Sequence, residues 1–358
     1  MTKTGRAFFQ RAMLGLMMLC FTVFLIFSEG SAEPGGPVEI LQSEEEPTEA
    51  LEEMEQAPPA FDAPVDVIGI NDIIFQPETG PVNVEETLVQ DAATPGDLEK
   101  LRDFDYLTTQ FYAADNNTGL LPGDIDADLF LQTDLTLDGT PGPKILIFHT
   151  HSTEMYADSM LRETAYATDP MEGIMGAGAE LTRILTERHG IAVLHHTGRY
   201  DIVNGVSQIA GAYERVEPVV RQLLADNPSV TLAIDLHRDG LRDGVPPMVT
   251  EINGRQAARL MFVNGLSRTK QGDSFQPVPW LENPYLTGNL LISFRMQLAA
   301  NEQYPGLMRK VYLKPYRYSL HMLPHTLLVE AGAQNNTKQE AYAAMELLAD
   351  VIAKVLKN

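Results

Sequence analysis

Three observations predict an α/β fold, with a largely parallel central sheet flanked by helices, for residues 144–358 of this 358-residue chain. Apolar runs of strand length alternate with amphipathic runs of helical period, the pattern that builds parallel sheets through helical crossovers. Three of the apolar runs end directly in polar clusters: ILIF in HTHSTE, TLAI in DLHRD and TLLV in EAGAQNN. The region is also nearly neutral, with 21 basic against 22 acidic residues, whereas residues 1–143 hold 5 basic against 27 acidic. The formal net charge of −23 therefore belongs to the first part of the chain. No basic domain is available to neutralise phosphates, which argues against a nucleic-acid partner.

The elements follow in order. Lys3, Arg6 and Arg11 form a basic tail over 1–11, ahead of the uncharged run AMLGLMMLCFTVFLIF from Ala12 to Phe27. Basic residues before an apolar run keep that end in the cytoplasm, so 12–28 is expected to be a membrane anchor and the rest of the chain to be exported. Gly30-Ser31-Ala32 would serve as a cleavage site, which leaves secretion after signal removal as the alternative. Cys20, the single cysteine, lies inside the apolar run, so the exported part has no disulfide to stabilise it. Residues 29–143 read as an acidic linker. Up to Ala60 it is rich in Pro, Gly and Glu and too poor in apolar residues to fold, and 61–143 is expected to be partly ordered, with a short helix in DLEKLRDFDYLTTQFY.

From Lys144 the pattern becomes regular. KILIF is a buried-strand run, and GAGAELTRILTERHG places Leu181, Ile184 and Leu185 on one helical face before Gly190 stops it. IAVLHH is a strand; SQIAGAYERVEPVVRQLLADNP is an amphipathic helix that Pro228 ends. VTLAIDLHRD, MVTEI and ARLMFVNG follow as strands, then a helix in NPYLTGNLLISFRMQLAANEQYPGL closed by Pro305-Gly306. KVYLKPY and TLLVEAGA are late strands, and QEAYAAMELLADVIAKVLKN is a terminal helix.

In an open parallel sheet, ligands bind beyond the carboxyl ends of the strands. If the three strands ending in polar clusters are neighbours, those clusters converge there. Imidazole and carboxylate are the zinc donors when cysteine is absent, and a catalytic site uses three of them with one position open. His151 and Glu154 share a face across one turn, and His237 comes from a second strand, so these three are the expected Zn2+ ligands. Glu330, at the end of TLLV, is the expected general base. His149, Asp235, Arg238, Asp239 and His321 are assigned to the surroundings of the metal or to substrate contacts. Each residue also has an ordinary reading. Asp235 and Asp239 would orient the His237 ring or pair with Arg238, and Glu330 would pair with Arg317. His195 and His196 read as structural, His189 as a cation at a helix C-terminus, and His321 or His325 as lining the cleft.

The series HTHSTEMY, NPSVTLAIDLHRDG, ARLMFVNG, YPGLMRK and LLVEAGAQNNTKQEA, in this order, resembles the stage II sporulation protein P family from Lys144 to the C-terminus. The resemblance implies a zinc-dependent peptidoglycan hydrolase with a fold like that of the N-acetylmuramoyl-L-alanine amidases, a zinc amidase/phosphorylase-hydrolase-like architecture. It implies cleavage of the amide between muramic acid and the stem peptide, and in some members of peptide cross-links. It further implies engulfment partners: a membrane-bound lytic transglycosylase and a multi-spanning membrane protein. Carried over, His151 and His237 take the metal positions and Glu330 the catalytic one. For the third ligand Glu163, Asp169 and Glu172 stand beside Glu154, because related amidases take that carboxylate from further along the chain. RYSLHMLPHT departs from the Tyr-Asn-Gln usual in this region, at Ser319 and Leu320. Two rival readings are a peptidase of cross-links only and a non-catalytic envelope scaffold. An esterase built on Ser152 with His149 lacks a nucleophile elbow.

Overall fold

In the computed structural model, residues 98–159, 169–242 and 244–357 are described. The basic tail, the apolar run Ala12–Phe27, the tether up to Ala60 and Glu163 lie outside them. Among the described residues no helix is long and apolar enough to cross a membrane.

The three apolar runs become β2 (Ile145–Phe148), β6 (Leu232–Asp239) and β13 (Thr326–Ala333). They are adjacent and parallel, in the order β13-β6-β2, so their carboxyl ends meet at one edge of the sheet. β3 (Val193–His195) pairs parallel beyond β2. On the other side β13 pairs antiparallel with β9 (Leu260–Gly265), which pairs parallel with β12 (Val311–Lys314). β1 (Tyr112–Ala114) closes the seven-stranded sheet beyond β12, again parallel. The expected largely parallel sheet is therefore present, interrupted at one antiparallel joint.

Residue parity along the strands sorts the two faces. Ile145, Ile147, Ile234, Leu236, Leu327 and Val329 face a core built with α3 (Ile174–Glu187), α5 (Leu286–Gln303) and α6 (Lys338–Lys357). Leu146, Phe148 and Ala233 face α4 (Ala212–Asp226), which contributes Val216 and Val220. Mixed strands with a helix-covered face on each side need apolar residues at both parities, which is why ILIF is buried at every position.

The boundary expected at Lys144 falls inside the folded unit. α1 (Phe104–Gln110) is capped by Asp103, whose carboxylate accepts from Tyr106 N, and α2 (Ala127–Gln132) by Asp126, which accepts from Leu129 N. Arg295 of α5 donates to the carbonyls of Phe130, Leu131 and Thr133 at 2.9–3.2 Å, satisfying the open end of α2. Phe111 and Phe130 pack their rings on Phe294 at 6.0 and 5.8 Å. Two of the acidic residues that read as linker, Asp103 and Asp126, are thus helix caps, and Phe111 and Phe130 join the core through Phe294. Three hairpins accompany the sheet among the described residues: β7 (Val249–Ile252) with β8 (Arg255–Ala258), β10 (Arg268–Gln271) with β11 (Ser274–Pro277), and β4 (Ile202–Val203) with β5 (Val206–Ser207). The first turns on Asn253-Gly254, both at positive φ (54° and 74°), the geometry an Asn-Gly pair supplies to a tight hairpin.

Candidate metal centre

β6 and β13 run in register with Glu330 opposite His237 and Leu328 opposite Asp235. Parallel neighbours in register present opposed side chains on one face, so His237 and Glu330 stand side by side on the α4 side of the sheet. β2 ends one residue before His149, and the chain then turns through Thr150 to Glu154. That turn brings His151 and Glu154 over the strand ends. His151 Nδ1 lies 3.3 Å and His237 Nδ1 3.5 Å from Glu154 Oε1, and the ligand atoms of the three residues all lie within 4.8 Å of one another. The two imidazole rings are nearly perpendicular, 85° apart with centroids at 5.0 Å.

Each donor is held from behind. Asp235 Oδ1 lies 2.8 Å from His237 Nε2, so the carboxylate favours a proton on that nitrogen and turns Nδ1 toward the cluster. Asp235 also accepts from Thr150 N at 3.0 Å and from Thr150 Oγ1 at 2.8 Å, tying the turn after β2 to β6. Glu154 Oε2 accepts from Arg238 N at 2.8 Å, which leaves Oε1 for the two imidazoles. The backbone carbonyl of Glu154 accepts from Ile174 N at 2.9 Å. Gly173 allows that approach, because a Cβ there would sit 2.2 Å from the same carbonyl oxygen. The buried carboxylate Asp201 holds the turn as well, accepting from Thr153 N at 2.8 Å and from the hydroxyls of Ser152 and Thr153.

The electrostatics follow from these contacts. Burial works against the charge on Glu154, yet the two neighbouring imidazoles hold its carboxyl well below the ordinary range. Burial likewise opposes the His237 cation, but Asp235 and Glu154 together push its pKa well up. Glu330 behaves oppositely. Burial, followed by the charge of Asp239, raises its carboxyl to about 8, and its Oε2 is buried with no hydrogen-bond partner. Two imidazoles and a carboxylate with converging atoms, a carboxylate behind one imidazole and an unsatisfied carboxylate oxygen beside them fit the donor set and surroundings of a zinc site with an open position.

The other sequence-derived candidates divide. His149 alternates to the opposite side of the sheet from Phe148, toward α3, and is fully buried, which removes it from substrate contact. Its Nδ1–H donates to Leu236 O at 2.8 Å, leaving Nε2 to accept from His195 Nε2 at 2.9 Å. Burial lowers both imidazoles, to about 3 and about 4, and keeps them neutral. Arg238 Nε donates to Met155 O at 2.9 Å, so it braces the ligand turn from behind. Asp239 pairs with Arg309 at 2.6 Å and not with Arg238. Arg317 pairs with Glu217 at 3.5 Å and not with Glu330. His321, 3.0 Å from Glu217, lines a pocket next to the cluster. Of the alternative third ligands, Asp169 caps Met171 N at 2.9 Å and Glu172 pairs with Lys338, both away from the cluster. His189 pairs with Asp350 at 2.8 Å, as a residue at a helix end can. Sequence reasoning passed over Tyr213, whose ring packs edge-on at 5.6 Å against His151, and Asp201. An isolated aromatic in an amphipathic helix and an aspartate in a loop carry no pattern that would single them out.

Comparison with known proteins gives a match to the stage II sporulation protein P family over residues 101–353. Stage II sporulation protein P of Bacillus subtilis (strain 168) is 27% identical over 229 residues, which cover 60% of this chain and 52% of that protein. The match thus spans about half the length of the curated relative. Among solved structures, N-acetylmuramoyl-L-alanine amidase AmiC2 of Nostoc punctiforme aligns at 13% identity over 61% of this chain and 97% of that chain, with a TM-score of 0.33. The CwlD amidase from Clostridioides difficile, in complex with the GerS lipoprotein, aligns at 12% identity over 59% and 95%, also with a TM-score of 0.33. With its family match running from the helices ahead of β1 into the terminal helix, the chain belongs to the stage II sporulation protein P family.

Proposed function

We propose that this chain is a zinc-dependent peptidoglycan hydrolase of sporulation. It cleaves the amide between muramic acid and the stem peptide, as an N-acetylmuramoyl-L-alanine amidase. The observation that carries the reading is the convergence of His151 Nδ1, His237 Nδ1 and Glu154 Oε1 beside the unsatisfied Oε2 of Glu330. A zinc ion held by those three atoms would supply Lewis acidity to the scissile carbonyl. Glu330 Oε2 takes a proton from the attacking water and delivers it to the amine nitrogen of the departing L-alanine, so the same carboxyl acts first as base and then as acid. Asp235 keeps the His237 ring in the tautomer that offers Nδ1.

The apolar run Ala12–Phe27, with basic residues before it, supports attachment to the cell membrane with the hydrolase domain outside. In that position the partners would be a membrane-bound lytic transglycosylase and a multi-spanning membrane protein. The test is hydrolysis of purified peptidoglycan by zinc-loaded protein, followed by analysis of the new amino termini. Free N-terminal alanine on the stem supports an amidase; amines only within the peptide would assign a cross-link peptidase instead. Glu330→Gln is expected to keep one zinc and lose about 10²–10⁴ in rate, whereas His237→Ala loses both zinc and rate. Full activity in His237→Ala would refute the assignment.

A further inference from the structure

Beside the cluster a pocket opens between the start of α4 and the segment before β13, lined by Tyr213, Leu281, Tyr316, Arg317 and Tyr318 among others. It neighbours the candidate metal centre, because Tyr213 lines the pocket and packs its ring edge-on against His151. Tyr213 and Tyr318 stand ring to ring at 5.5 Å, 63° apart. Tyr318 is held at φ 51°, an uncommon conformation for a bulky residue, and its carbonyl accepts from His321 Nδ1 at 3.1 Å. The Tyr318 ring thus bridges a small core of Met261, Val263, Leu320 and Leu328 to the pocket wall.

The pocket has a second aromatic feature outside it. The turn Pro279–Leu281 buries Leu281 in the pocket wall and presents Trp280, 69% exposed, to solvent. Three bonds fix the turn: Leu281 N donates to Val278 O at 3.0 Å, Val278 N donates to Ser267 O at 2.8 Å, and Arg317 Nη1 donates to Glu282 O at 3.2 Å. Trp280 is the single tryptophan of the chain. A single exposed aromatic is ordinary by itself; what sets Trp280 apart is its place on a bonded turn whose next residue, Leu281, lines an aromatic pocket. Polar groups accompany it: the pocket also holds Glu214 and the Glu217 carboxylate, which faces Arg317 and His321.

We propose that Trp280 and the tyrosine pocket form a saccharide subsite that seats the N-acetylated glycan strand on the sugar side of the scissile amide. A pyranose ring has one face of C–H groups and a rim of hydroxyls. The first suits flat aromatic rings, and the second suits a carboxylate and a guanidinium. A peptide would instead call for backbone partners, and the pocket wall offers aromatic and charged side chains. The assignment rests on the peptidoglycan reading above, and the experiment separates the two.

Since Trp280 is alone, the intrinsic fluorescence of the full chain reports on this position directly. The full chain is titrated with the β-1,4-linked tetramer of N-acetylglucosamine and, separately, with free stem peptide. A saturable change in tryptophan emission with the saccharide and none with the peptide is expected. No change with the saccharide, or an equal change with the peptide, would overturn the subsite. In a second arm, Trp280→Ala should raise KM for intact sacculi by about fivefold to tenfold, the loss of one well-packed aromatic contact, with kcat unchanged. Trp280→Phe should recover most of that loss, and a fall in kcat without a change in KM would count against the proposal. Saccharide binding without any hydrolysis would sink the hydrolase reading alone, and hydrolysis without saccharide binding would sink the subsite alone.

Discussion

Asp235→Asn isolates the contribution of charge behind the candidate metal centre. Both carboxylate oxygens are in use: Oδ1 faces Thr150 N and His237 Nε2, and Oδ2 faces Thr150 Oγ1. An asparagine keeps the geometry, since its oxygen still accepts at Oδ1 and its amide donates to the Thr150 hydroxyl, which has lone pairs to offer. What disappears is the charge opposite His237. A hydrogen bond to a charged group is worth roughly 1.5–3 kcal/mol and a neutral one roughly 0.5–1.5, so the loss is about 1–1.5 kcal/mol. That corresponds to about tenfold in zinc affinity, the lower end of what removing a partner behind a metal-bound histidine costs. Asp235→Ala goes further, because it also leaves Thr150 N–H and Oγ1 buried without their acceptor, at about 2–4 kcal/mol of folding stability. The assay is competition for zinc against a chromophoric chelator at fixed pH, with urea unfolding of the metal-free proteins alongside. If Asp235→Asn binds zinc as tightly as the parent, the orientation of His237 by this carboxylate is not what tunes the site. If it unfolds as readily as Asp235→Ala, its effect is structural and the reasoning fails.

Three further outcomes are expected. Gly178→Ala would bring a Cβ to 2.7 Å from His149 Nε2 and 2.8 Å from His195 Nε2, against one fully buried and one half-buried ring; it should cost about 1–3 kcal/mol in urea unfolding while zinc stoichiometry is unchanged. Gly173→Ala would press on the carbonyl of Glu154 and on Met155 Sδ, so zinc affinity should fall more than stability does, as read by the same two titrations. In metal-free protein, stability should decline as pH rises from about 6 to 8.5, by roughly 2 kcal/mol. Glu330, raised from 4.5 to about 8, holds a proton in the folded state that the unfolded chain has released, and the raised His237 acts with the same sign. The depressed Glu154 adds a separate loss of stability as pH falls below its ordinary range, so the metal-free protein should be most stable in mild acid. A flat or rising profile between pH 6 and 8.5 would show that these groups are not perturbed by folding.

The edge of the sheet that carries the candidate site was legible because strand endings are written locally. ILIF, TLAI and TLLV are apolar at both parities, and each hands over to its polar cluster within one or two residues. That the three strands are neighbours is a long-range fact, which the β13-β6-β2 pairing supplies and no local pattern encodes. The ranking of His151 over His149 depended on where β2 stops. Residues two apart share a face only in extended chain, and the turn after Phe148 sends His149 toward α3 and His151 over the strand ends. The order in 98–143 was less legible because its stabilisation comes from elsewhere, from Phe294 and Arg295 on α5. The pocket wall was illegible for a similar reason: Tyr213 and Tyr318 lie more than a hundred residues apart and acquire meaning only when the sheet brings α4 beside the segment before β13.

The strand Tyr112–Ala114 also governs how this protein can be handled. Its pairing with Val311–Leu313 covers what would otherwise be an open row of amide and carbonyl groups at the margin of the sheet. A shortened chain beginning at Lys144 keeps every proposed metal ligand and yet presents that row to its neighbours. It also uncovers the apolar surface sheltered by Phe111 and Phe130. Such a chain is expected to self-associate and precipitate, and inactivity in it would report on solubility and say nothing about chemistry. Protein that begins ahead of Leu98 retains the cover and is the form in which zinc content and hydrolysis should be measured.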